Sequence, residues 1–169
     1  LAQTAGRLPF AFEVDKFKVT QGSQWIADAL LAEYPEAEIS FINNGGLRKH
    51  LPAGAVTLRD LHEYIPFGNT VAFFECRGKD ILTALAINRQ NAIDKPYDIM
   101  SSSISGWVDA PLDLQNLFVS GKSIETERVY KVVSHDYIIS QWDKYLGFMP
   151  QNAYDSGDLF LDAIIHQVK

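Results

Sequence analysis

The sequence is short of the residues that most simple site chemistries need. It holds one cysteine, Cys76, so neither an internal disulfide nor a cysteine-based metal site can form. Its four histidines, His50, His62, His135 and His166, make no H-E-x-x-H pair. His62-Glu63-Tyr64 is followed by no second histidine, and no metal is expected in this chain. There is no G-x-S-x-G elbow, and Ser134, His135 and Asp136 are merely adjacent, so a Ser–His–Asp triad is unsupported. Basic residues are in deficit, with 15 Lys and Arg against 21 Asp and Glu and a formal net charge of −6. That balance argues against a nucleic acid polymer as partner, although a local basic pocket stays open. No apolar run approaches the ~20 residues of a membrane span. The opening "LAQTAGRLPF" shows no signal peptide, and there are no repeats or low-complexity tracts.

What is present suits one folding unit. A chain of 169 residues buries roughly 70% of its unfolded surface, enough for a core without staples. Leu8–Val14 alternates loosely and reads as a strand. "TQGSQWIADALLAEYP" reads as a helix with Trp25, Ile26, Ala29 and Leu30 on one face, capped by Thr20 or Ser23 and limited by Pro35. Ala37–Ile42 reads as a buried strand. "TLRDLHEYIPFGN" reads as a short helix with Thr57 as N-cap and Asp60 at the capping-box position, stopped by Pro66. Thr70–Cys76 is β-branched and aromatic, a strand, and a turn at "RGKD" leads to a helix over Asp80–Asn88. The stretch Gln90–Ser123 reads as polar loop with short strands around Gly106–Asp109 and Leu117–Val119. "ERVYKVVSH" is a strand, and "SGDLFLDAIIHQVK" an amphipathic helix with Phe160, Ala163, Ile164 and Val168 on one face. The irregular alternation gives an α+β class: one domain over 1–169, with a mixed β-sheet flanked by helices.

Three stretches are candidates for a site. The first is "FINNGGLRKHLPAG", a hydrophobic strand ending in Asn43, Asn44, Gly45 and Gly46, with Arg48 just beyond. Glycines allow positive φ and close approach of a ligand, successive N–H groups in such a turn can form an anion-binding nest, and a guanidinium fork suits phosphate oxygens. The alternative is an ordinary turn beside a surface arginine. The second is "PFGNT", where Phe67 between a proline and a glycine can present a stacking ring. A base stacked on an aromatic is worth about 1–3 kcal/mol, and the alternative is a ring folded back on the core. The third is "SHDYIISQWDKYLGF", a polar-aromatic loop after a strand. It offers Tyr137, Trp142 or Tyr145 as an opposing ring and Asp143 as an acceptor for sugar hydroxyls, or else a surface loop with a structural aspartate.

In order and spacing, "NNGGLR", "LPAGAVTLRDLHEYIPFGNT", "ECRGKDILTAL" and "VYKVVSHDYIISQWDKY" resemble the C-terminal domain of the 5′-nucleotidase family, which includes UDP-sugar hydrolases and ecto-5′-nucleotidases. The resemblance runs from about Gln21 to the final helix. It implies a substrate-binding domain for a nucleotide or nucleotide-sugar, with Asn43 and Arg48 near phosphate or ribose, on the turn that carries Gly45 and Gly46. It implies Phe67 as one ring of a base clamp, Tyr137 as the other, and Asp143 at the ribose. It also implies that catalysis belongs to an N-terminal metallophosphatase domain with two divalent metals, either upstream in cis or on a separate chain. This chain alone is then expected to bind substrate and not turn it over, with no catalytic residue of its own. Relatives are mostly exported, which implies a periplasmic or extracellular location.

Two departures from the family pattern stand out. Gly-Gly-Asp-Gly is usual around the ribose aspartate, whereas Gln141-Trp142-Asp143-Lys144 stands here, so that Trp142 and Lys144 could intrude on the pocket. The family often has a further phosphate arginine upstream, where only Lys16 or Lys18 could serve, as point charges without a fork. These departures motivate an alternative function, a non-catalytic binding or assembly module that keeps the fold and has lost the pocket.

Overall fold

The computed structural model describes residues 3–94 and 97–169. The chain opens with β1 (Thr4–Leu8), α1 (Gln21–Glu33) and β2 (Ile39–Asn43), which runs into a single 3-10 turn, Asn44–Gly46. There follow β3 (Gly54–Thr57), α2 (Leu58–Tyr64), β4 (Thr70–Arg77), α3 (Gly78–Asp94) and β5 (Met100–Ser102). A second 3-10 turn, Leu114–Asn116, leads to β6 (Phe118–Val119) and β7 (Lys122–Ser123). The chain ends with β8 (Val129–His135), α4 (Asp136–Ser140), α5 (Trp142–Tyr145), β9 (Gln151–Leu159) and α6 (Phe160–Val168).

Five strands form one mixed sheet in the order β5-β2-β8-β4-β9. β2 and β8 run parallel, with Ile39 opposite Val132, and every other pairing in this sheet is antiparallel. Side chains alternate across it, as the pleat requires. Ile42, Val71, Phe73 and Val133 point into a core shared with Ile26 and Leu30 of α1, Leu61 and Tyr64 of α2, and Ile164 of α6. Ile39, Phe41, Phe74, Cys76, Tyr130 and Val132 point to the other side, against Ile81 and Leu85 of α3 and Tyr145 and Leu146. Both faces are therefore covered, which is why β2 is buried at every position and reads as a continuous apolar run. This is the α+β arrangement of a mixed sheet flanked by helices.

Local signals fixed several boundaries. The Thr20 hydroxyl accepts the Ser23 N–H at 3.0 Å and Ser23 Oγ accepts the Thr20 N–H at 2.9 Å, a reciprocal cap that starts α1. Thr57 and Asp60 do the same for α2, which ends before Pro66 because the residue preceding a proline avoids the helical region.

Other expectations are corrected. The first strand is Thr4–Leu8, not Leu8–Val14; beyond it only Phe12 pairs, in an isolated bridge to Leu51. α3 begins at Gly78 directly after β4 and runs to Asp94, so no separate turn occupies "RGKD". Glu125 carbonyl oxygen packs within 2.0 Å of where a Cβ would stand on Gly78, so glycine is what allows the strand to pass straight into the helix there. Gly106–Asp109 forms no strand, and pairing is limited to a bridge between Ser105 and Phe118. Lys95 and Pro96, inside the stretch read as polar loop, lie outside the described residues. Ser156–Leu159 belongs to β9, an edge strand that pairs β4 through two irregularities, and the last helix starts only at Phe160. The stretch after β8, read as a loop, is two short helices, α4 and α5.

Candidate functional site

The carboxyl ends of β2 and β8 and the amino end of β4 meet at one end of the sheet, since Val71 of β4 lies opposite His135 of β8. A cavity of about 570 Å³ opens there, a size suited to a small organic ligand. Asn43, Gly45, Gly46, Arg48, Phe67 and Tyr137 all line it. These residues come from three separate stretches of sequence and reach one hollow through the parallel crossover from β2 to β8.

The Asn43–Arg48 wall is built by side chains that hold the backbone. Asn44 is buried; its amide donates to Lys18 O at 2.9 Å and its oxygen accepts from Ser101 Oγ at 2.7 Å. Asn44 is therefore a structural tie that leaves Asn43 and Gly45 facing the cavity. Gly45 and Gly46 adopt the 3-10 turn and do not use the positive φ that glycine allows. Gly45 is required for another reason: a Cβ there would lie 2.3 Å from Asp98 Oδ2. Arg48 is exposed; its Nε donates to Gly45 O at 2.6 Å, and its guanidinium carbon stands 4.9 Å from the centre of the Phe67 ring. The fork is thus anchored at one nitrogen and stacked on an aromatic face.

Phe67 follows the end of α2 and is 53% exposed, while Tyr137 in the first turn of α4 is 38% exposed. Gly68, at φ +66°, makes the turn between Phe67 and β4. Asp136 couples the two ring-bearing segments. Its Oδ1 accepts from Asn69 Nδ2 at 2.9 Å, the Thr70 N–H at 3.2 Å and the Tyr137 N–H at 3.0 Å. One carboxylate oxygen so fixes the loop of Phe67 against the turn of Tyr137.

The floor was not legible in the sequence. Asp98, which precedes β5, has a side chain only 10% exposed. Its Oδ2 accepts the Gly45 N–H at 2.7 Å and the Asn43 amide at 3.1 Å; its Oδ1 accepts the Tyr145 hydroxyl at 2.6 Å and lies 3.4 Å from Lys144 Nζ. Burial, and next the bond to Asp98, raise the Tyr145 phenol above its ordinary range, so it remains a donor. Lys144 also sits over the Tyr97 and Tyr145 rings, at 4.8 and 5.0 Å. Lys16 reaches the rim, its carbonyl tied to the Ile99 N–H at 2.9 Å. Three cations and one carboxylate face the hollow in a chain of net charge −6.

Asp143 and Trp142 are placed differently from the remainder. Without glycines, Gln141–Lys144 winds into α5, and Asp143 lies exposed in its first turn, outside the side chains that line the cavity. Trp142 packs against the core beneath α3, whereas Lys144 does enter the hollow. Lys18 lies away from it, and Lys16 is the upstream cation that lines it. His135, next to Asp136, is wholly buried against Phe160 and burial pushes its imidazole down to about 4. Among the described residues no three His, Cys, Asp or Glu side chains group closely enough to hold a metal ion, and no helix is long and apolar enough to cross a membrane.

Comparison with known proteins gives a consistent result. The family model described as "5′-nucleotidase, C-terminal domain" matches residues 2–149. A 5′-nucleotidase of Vibrio parahaemolyticus is 27% identical over 145 residues, covering 86% of this chain and 26% of that protein. The trifunctional nucleotide phosphoesterase protein YfkN of Bacillus subtilis is 38% identical over 144 residues, 78% of this chain and 10% of that protein. Among solved structures, the 5′-nucleotidase precursor of Thermus thermophilus superposes with a TM-score of 0.80 at 20% identity, over 99% of this chain and 36% of the other. The chain thus spans about a quarter of the length of the Vibrio relative, and the structural likeness speaks for the fold.

Proposed function

This chain belongs to the family of 5′-nucleotidase C-terminal domains, and from that premise we propose that it is the substrate-binding domain of a 5′-nucleotidase-type phosphoester hydrolase. The base of a nucleotide or nucleotide-sugar enters between Phe67 and Tyr137, and its phosphate stays at the rim on Arg48 and Lys16. The observation that carries this reading is convergence: Arg48, Phe67 and Tyr137 line one cavity, with Asp136 tying the two ring-bearing segments together.

Hydrolysis is assigned to another domain. Phosphate monoester cleavage is among the slowest uncatalysed reactions, and a two-metal site supplies the nucleophile and stabilises the leaving oxygen. The side chains described here offer no such donor cluster, so a metallophosphatase domain, in cis or as a separate chain, completes the enzyme in this proposal. The same reading puts the assembled protein in the periplasm or outside the cell.

Titration calorimetry with AMP, UMP and UDP-glucose tests the clamp. Stacking worth about 1–3 kcal/mol corresponds to a loss of roughly 5- to 150-fold in affinity for Phe67→Ala. Equal binding by the wild type and the variant would remove the clamp. One observation favours a second reading, a binding or assembly module without a nucleotide pocket: α5 leaves Asp143 exposed and outside the cavity lining. That module would bind none of the three ligands, even when rejoined to a catalytic domain.

A further inference from the structure

We propose that Asp98 sets the specificity of this cavity: its carboxylate occupies the anion cradle formed by the Asn43–Gly46 turn, and so excludes phosphate from the cavity floor. The inference rests on reading the cavity as the ligand site. It deepens that reading by stating which end of a ligand goes in.

The Gly45 N–H and the Asn43 side-chain amide are the donors that the turn directs into the cavity, and both already point at Asp98 Oδ2, at 2.7 and 3.1 Å. The other carboxylate oxygen takes the Tyr145 hydroxyl at 2.6 Å and faces Lys144 Nζ at 3.4 Å. A carboxylate has about four acceptor positions, and three hydrogen bonds and the Lys144 ion pair from the protein itself already engage this one. The approach is as close as glycine permits, since a Cβ on residue 45 would stand 2.3 Å from Oδ2. A second anion at the floor would find the Gly45 N–H already taken and would meet the Asp98 carboxylate at short range. The cations still open to phosphate, Arg48 and Lys16, line the cavity outside the Asp98 cluster, and no ion pair engages either among the described residues.

The ligand class follows from this arrangement. It is a phosphoester whose body is uncharged and hydrogen-bonding, entering body first with its phosphate held outside. A ligand carrying a second anion on its buried end, such as a sugar acid, is rejected.

The test uses inorganic phosphate as the probe, followed by calorimetry and by the ¹⁵N–¹H signal of Gly45, on wild type, Asp98→Ala and Asp98→Asn. Asp98→Ala frees the turn and Lys144 together, and phosphate should bind at least tenfold tighter than to wild type, with the Gly45 amide shifting. Asp98→Asn removes the charge and keeps an oxygen over Gly45, so a smaller gain of a few-fold is expected; it carries the test if the alanine variant does not fold. Phosphate that shifts the wild-type Gly45 amide overturns the proposal, as does a failure of every folded variant to bind phosphate more tightly. The clamp is tested separately with an uncharged nucleoside on Phe67→Ala. A clamp without a phosphate gain, or a phosphate gain without a clamp, therefore identifies which of the two ideas has failed.

Discussion

At the scale of single residues, two carboxylates and one imidazole define this end of the sheet, and each is held for a different reason. Asp98, its side chain 10% exposed, is spent on three hydrogen bonds and one ion pair from the protein. Asp136 is exposed and joins two loops. His135 lies between them in sequence and in the core, and its Nδ1 has no hydrogen-bond partner among the described residues. Burial lowers its imidazole from 6.5 to about 4, with the Asp136 and Asp98 carboxylates pulling weakly the other way. The sign of the resulting pH dependence follows directly. Between pH 6.5 and 4 the unfolded chain takes up a proton at this position and the folded chain does not, so stability present at neutral pH is lost as pH falls through that window. The loss is on the order of 3 kcal/mol. His135→Phe keeps a ring against Phe160 and removes this proton, so its denaturation midpoint should fall less than that of the wild type between pH 7 and pH 4. Parallel profiles for the two proteins would show that His135 titrates normally in the fold.

At the scale of elements, the short helices after β8 decide the shape of the site, and Asp136 is the hinge on which they depend. Charge-assisted hydrogen bonds contribute about 1.5–3 kcal/mol net when sheltered; for an exposed carboxylate we expect Asp136→Ala to cost about 1 kcal/mol of stability. It should also speed hydrogen exchange at the Thr70 amide and weaken nucleotide binding several-fold, because Phe67 loses its registration with Tyr137. Unchanged exchange at Thr70 would show that the loop is held by other contacts. The elements that were legible in the sequence are those with local punctuation: α1 and α2 have reciprocal caps at Thr20–Ser23 and Thr57–Asp60, and Pro66 marks an end. Those that were not legible lack it. β9 carries polar residues and exposed apolar ones with no clear alternation, because only one of its edges is paired. α5 was hidden by its likeness to a glycine-rich loop, although Gln, Trp, Asp and Lys without glycine favour a helical turn over the open conformations that glycine allows. Asp98 could not be found at all from pattern, since it lies in a loop whose partners, Gly45 and Tyr145, are distant in sequence.

At the scale of the whole molecule, a parallel strand pair flanked by antiparallel neighbours gathers the ends of β2 and β8 into a single hollow. A chain acidic overall presents three cations to it, one of which, Lys144, is already paired with Asp98. The domain thereby brings Phe67, Tyr137, Arg48 and Lys16 to one cavity with Asp98. It spans 26% of the length of its Vibrio relative. The order of ligand entry, body first and phosphate outside, would leave the scissile ester facing the proposed metallophosphatase domain. The most direct measurement is the position of AMP in crystals of this chain grown with the nucleotide. We expect the adenine between Phe67 and Tyr137 with the phosphate against Arg48; a nucleotide bound with its phosphate on the Gly45 amide, or an empty cavity at saturating AMP, would contradict it.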